Sequence, residues 1–157
     1  GVKMLFFLSL ATNIAIADNY LDKNLEHGWF WESSPVIEIC PDSRITTNQI
    51  IETIDYWLER GVDVDIKEIK RVEYCNVEKS NVIQIMGDRD IKSDEHARTN
   101  IKWYYRGFKN ENTVYFIKSA KVQLPNNILE NDIIVKHEFG HALGLDHTND
   151  AIMKSNH

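Results

Sequence analysis

The sequence predicts an α/β (α+β) domain in which a twisted mixed sheet of about five strands carries two long helices. Three observations predict it. Short β-branched and aromatic runs recur along the chain, and two longer segments switch to the helical period of 3.6. Their order, strand, helix, two strands, hairpin, helix, is that of one sheet with helices laid on it. A chain of 157 residues builds one adequate core, so one domain is expected.

The first 17 residues read as a secretory signal peptide. Lys3 gives a positive start, Met4 to Leu10 an apolar stretch, and Ala15-Ile16-Ala17 a small-x-small cleavage site before Asp18. The apolar stretch is shorter than the ~20 residues a membrane span needs, and Thr12 and Asn13 interrupt it. A secreted protein with no membrane attachment after cleavage is therefore expected. Residues 18–157 form the domain, with 18–34 as a lead-in whose Trp29, Phe30 and Trp31 pack on it.

"PVIEIC" (35–40) has the β-branched enrichment of a strand and stops at Pro41. In "RITTNQIIETIDYWLERG" the apolar Ile50, Ile51, Ile54, Trp57 and Leu58 fall on one helical face. Thr46 and Gln49 have capping-box spacing, and Gly61 stands where a left-handed residue ends a helix. Residues 66–75 and 81–86 read as strands, the second so uniformly apolar that it belongs in the middle of the sheet. Crossing over the first helix, the strand at 35–40 can pair in parallel with that at 66–75. Residues 87–100 read as a polar loop, and 101–108 with 113–124 as a hairpin joined by "KNEN". The second long helix spans "NNILENDIIVKHEFGHALG", with Asn127 and Glu130 in capping-box spacing and Gly144 at its end.

A formal net charge of −6 leaves no basic stripe to displace phosphate counterions, which excludes nucleic acid as a partner. A monomer is expected. The two cysteines, Cys40 and Cys75, lie at the C-terminal ends of neighbouring parallel strands in a chain bound for an oxidising compartment, so one disulfide is expected. In the polar loop Asp88, Asp90, Asp94 and Glu95 could ligate calcium and His96 could touch a metal. The spacing of oxygen ligands in a calcium loop is absent, so calcium is not supported.

Near the end of the chain stands "HEFGHALGLDH" (137–147), which holds three of the six histidines. Helical positions four apart share a face, so His137 and His141 can present their imidazoles to one ion. Glu138, one position on, can touch a ligand of that ion without filling the site. The next position in the row is the apolar Leu145, so a third ligand comes from off the helix. Gly144 can take positive φ and reverse the chain, which brings His147 back; Asp146 and Asp150 are the lesser candidates. No Glu follows Glu138 to act as a ligand. Three neutral imidazoles with an open position describe a catalytic zinc site, whereas a structural site closes its shell with four protein ligands. Surface histidines at a helix end would require five matched positions to be an accident.

HExxHxxGxxH resembles the metzincin zinc peptidases, and with Thr148 following it looks most like the matrixin branch, which typically has Ser there. The resemblance implies a zincin-like catalytic domain with one zinc on His137, His141 and His147, and Glu138 as general base. Met153 in "AIM", six residues after His147, corresponds to the family's methionine turn beneath the ligands. A secreted endopeptidase acting on protein or peptide substrates follows, with Ile101 to Phe108 as the edge strand against which substrate would lie. Latency by a cysteine switch is not expected, and a short inhibitory lead-in that places Asp22, Glu26 or His27 at the metal is the weaker reading of residues 18–34. Only four residues follow Met153. The alternative is therefore a zinc-bearing binding or inhibitor protein of weak or no activity; hydrolysis of a non-peptide amide would use the same site.

Overall fold

The structure is a computed structural model, and it describes residues 28–63, 65–75, 77–87, 97–107, 113–147 and 152–153. Residues 1–17, read above as a signal peptide, the acids Asp22 and Glu26 with His27, the loop residues Asp88, Asp90, Asp94, Glu95 and His96, Phe108 with the hairpin turn 109–112, and Thr148 and Asp150 lie outside the described residues.

Strands β1 (Phe30–Trp31), β2 (Val36–Ile39), β3 (Glu68–Arg71), β4 (Val82–Met86), β5 (Arg98–Gly107) and β6 (Thr113–Gln123) form one sheet, with helices α1 (Thr47–Glu59) and α2 (Asp132–Ala142). The sheet is mixed: β1, β2, β3, β4 and β6 pair in parallel and β5 runs antiparallel to β6. β6 pairs with β5 along its length, and its other edge is shared between β1 at Phe116 and Ile117 and β4 at Ser119 to Gln123. The order β5, β6, β4, β2, β3 leaves β5 at an edge, with β6 its only partner among the described residues. The sixth strand is the unexpected one: β1 lies inside the lead-in, where two residues are too few to show a period.

One face of the sheet builds the main core. Ile37, Ile39, Ile83, Ile85, Ala120 and Val122 point from alternating positions toward Ile50, Ile54 and Trp57 of α1 and Val135, Phe139 and Ala142 of α2. Of the apolar face expected on α1, Ile51 and Leu58 are instead 42 % exposed, and Thr53 is buried with its hydroxyl donating to Gln49 O. The sheet receives a narrower stripe than the five residues suggested. The caps of α1 are as read: Gln49 N donates to Thr46 Oγ1, Thr46 N donates to Gln49 Oε1, and Gly61 has φ 86°. α2 starts later than expected. Asn126–Ile128 is a turn of 3-10 helix and the cap is Asn131, whose side chain accepts from Ile134 N. An Asn that can hydrogen-bond the helix start displaced the Asn127/Glu130 box, which had the spacing but not the position.

The other face is covered by the segment after β3. Cys75 bonds to Cys40, and the pair packs with Met86 and Val72. Lys79 reaches the buried carboxylate of Glu38, and Gln84 donates to Val77 O. The bridge closes a 35-residue separation with Cα atoms 5.6 Å apart. On the chain-entropy account such a loop contributes about 4 kcal/mol. Reduction is thus expected to add about two daltons to the intact mass and to lower the unfolding midpoint. Two alkylatable thiols in the folded, oxidised protein would contradict the pairing.

Candidate metal centre

α2 builds the site from its own period. Asn131 and Asp132 fix its start, Lys136 pairs with Asp132 one turn on, and Val135, Phe139 and Ala142 anchor it to the sheet. His137 and His141 then share a face four residues apart. After Ala142 the chain turns: Gly144 N donates to His141 O, Leu145 N donates to Gly140 O, and Gly144 takes φ 105°, a conformation that costs a side-chain-bearing residue. The reversal returns His147 to the helix face, and its own N–H is held by the Asp146 carboxylate. Ring nitrogens of His137, His141 and His147 lie within 4.8 Å of one another, with His141 Nε2 3.1 Å from His137 Nε2 and 3.0 Å from His147 Nε2. The three expected ligands are brought together, and Asp146 is occupied elsewhere.

The hydrogen bonds behind the rings decide what the front can do. His137 Nδ1 is 2.6 Å from Ile152 O and His141 Nδ1 is 2.9 Å from Leu145 O. A carbonyl only accepts, so both Nδ1 atoms carry the hydrogen. In the neutral rings both Nε2 atoms are then bare lone pairs, and two lone pairs at 3.1 Å repel unless a cation lies between them. His141 does not supply that charge itself, because burial pushes its pKa down to about 4 against a smaller opposing pull from Leu145 O. Three converging ring nitrogens, two of them bare because Nδ1 is fixed on His137 and His141, could hold a metal ion.

Glu138 is buried beside this centre at 7 % exposure. Burial raises its pKa, and the hydroxyl of Thr99, donating to Oε2 at 2.6 Å, opposes the rise. Beneath the helix, Met153 is fully buried and packs where Gly140 lacks a side chain. A Cβ on Gly140 would stand 2.5 Å from Met153 Sδ and 3.0 Å from Trp57 Cζ2. Gly140→Ala should gain about 1 kcal/mol of helix propensity and lose up to about 3 kcal/mol to overpacking against both Met153 and Trp57, so a net loss of up to about 2 kcal/mol is expected. A lower unfolding midpoint for Gly140→Ala, relieved in Met153→Ala, is the expected result; an effect of Gly140→Ala that is the same in both backgrounds would show that the two do not touch.

The lead-in holds the helix end. Gly28 N and Trp29 N donate to Gly144 O, and Trp31 Nε1 donates to Ala142 O at 2.7 Å. These bonds satisfy C-terminal carbonyls that a helix leaves open, at the turn that delivers His147. The sequence marked the lead-in aromatics only as packing. It also missed Thr99, which fell within the stretch read as a polar loop, although a β-branched residue two before an aromatic run is a strand signal. The Ile152 carbonyl carries no sequence signal. Among the described residues no helix is long and apolar enough to cross a membrane. No protein-family model and no curated protein matches the chain.

Proposed function

We propose that this protein is a secreted, zinc-dependent endopeptidase of metzincin type. The observation that carries the reading is the placement of a buried carboxylate, Glu138, next in sequence to the first of three histidines whose Nε2 atoms converge. His137, His141 and His147 would hold the metal, and three imidazoles suit zinc with a position left open. When bound, the ion supplies Lewis acidity that activates water at neutral pH and polarises a peptide carbonyl.

The chain's own residues do the rest. Glu138 accepts the proton of the attacking water and delivers it to the leaving amine. Ile152 and Leu145 carbonyls keep two imidazoles in the tautomer that ligates. β5, whose second edge no strand among the described residues pairs with, offers a backbone along which an extended peptide can add a strand, and its Thr99 contacts Glu138, so a peptide on that strand lies near the base. Secretion is supported by the Cys40–Cys75 disulfide and by the charge and apolar pattern of residues 1–17.

The test is metal content followed by cleavage. Purified protein should hold about one zinc per chain and cut members of a mixed peptide library, and a chelator should abolish the cutting. Zinc that stays substoichiometric after reconstitution at neutral pH would overturn the metal assignment. Zinc-loaded protein that cleaves no peptide would favour a binding or inhibitory role.

A further inference from the structure

We infer that Thr99 is the positioning residue of Glu138: it tethers one carboxylate oxygen and thereby leaves the other to handle the proton. The inference rests on the peptidase reading above and assigns a further residue to that reaction.

β5 places Thr99 opposite Val122, a residue of the main core, and so on the face of the sheet that α2 covers. Its Oγ1 lies 2.6 Å from Glu138 Oε2 and 3.0 Å from Glu138 O. A hydroxyl has one hydrogen to give, and the shorter contact has the length of a charge-assisted O–H···O⁻ bond, so the carboxylate receives it. The anchor is stiff: threonine is branched at Cβ, and its backbone belongs to the β5–β6 ladder. The glutamate is not stiff in itself, since its side chain has three torsions to settle. Tethered through Oε2 and buried, it has lost that freedom before any substrate arrives, and Oε1 is the oxygen assigned to the proton. Fixing a reacting group in advance lowers the barrier by removing an ordering step. The same strand is the sheet edge among the described residues, so the contact also ties the base to the edge proposed for the peptide.

Two variants and one cycle test it. Thr99→Val keeps the shape and removes the donor; Thr99→Ser keeps the donor. Thr99→Val should keep its zinc and lose about 10- to 100-fold in kcat with KM little changed, as expected for a hydrogen bond to a charged group. Thr99→Ser should recover most of the loss. Placed on Glu138→Gln, Thr99→Val should add almost nothing, because the group it serves is gone. A readout free of activity comes from thermal unfolding of the metal-free protein: Thr99→Val should lower the midpoint clearly more when Glu138 is present than when it is replaced by Ala, where the hydroxyl keeps only the carbonyl of residue 138 as acceptor. Equal lowering in both backgrounds means that the hydroxyl acts elsewhere and overturns the inference. An active wild type with an equally active Thr99→Val overturns the role of Thr99 alone. A zinc-loaded wild type that cleaves no peptide overturns the peptidase reading and the catalytic role of Thr99 with it.

Discussion

Glu138→Gln should retain its metal and lose about 10²- to 10⁴-fold in peptide cleavage, the usual worth of a general acid–base group. The amide has the shape of the carboxylate and can still accept from Thr99, so packing has no reason to change. It cannot take a proton from water. The metal-free variant should unfold at a midpoint no lower than wild type at neutral pH. The sign follows from burial, which raises the pKa of Glu138, so that the ionised side chain opposes folding as pH rises through and above its ordinary range. Steady-state rates on one cleaved peptide, with metal counted in both proteins, decide the matter. Cleavage at the wild-type rate by a metal-loaded Glu138→Gln would remove Glu138 as the base.

His141→Ala should lose the metal itself, because His141 Nε2 is the atom that lies within 3.1 Å of both other rings, and two imidazoles do not hold zinc as three do. Acid should do the same to wild type, since a protonated imidazole has no lone pair to offer. In the metal-free protein the pH window follows from His141, whose folded pKa is depressed by burial to about 4 from an ordinary 6.5. Between these values the unfolded chain binds the proton and the folded chain does not. The contribution of His141 to stability is therefore complete above pH ~6.5 and is lost as pH falls toward ~4, on the order of 3 kcal/mol. Unfolding midpoints of chelated protein across this range should fall with acid, and His141→Gln should flatten the slope. An unchanged slope in that variant would move the effect to another group.

What could be read from the residues alone was whatever a local period or a fixed spacing encodes. The capping box at Thr46 and Gln49, the central strand at Val82–Met86 and the parallel pairing of β2 with β3 are of this kind. So are the three imidazoles, because four residues of helix and one glycine turn are enough to aim them at a point. Where the reading failed, two local signals competed or none existed. The box at Asn127 and Glu130 lost to Asn131, and Ile51 and Leu58 sit on the edge of an apolar face whose width only the sheet could set.

The convergence of three imidazoles was already written in the chain, because His137, His141 and His147 lie within eleven residues and their geometry is that of one helix and its turn. What those side chains are able to do depends on contacts from far along the chain. The tautomer of His137 is set by Ile152, 15 residues away, and the helix end is held by Trp31, 111 residues away. The carboxylate of Glu138 is aimed by Thr99, 39 residues away. A hydrogen bond is directional over about 3 Å, and no local pattern in the chain records which distant donor or carbonyl folding brings within that distance.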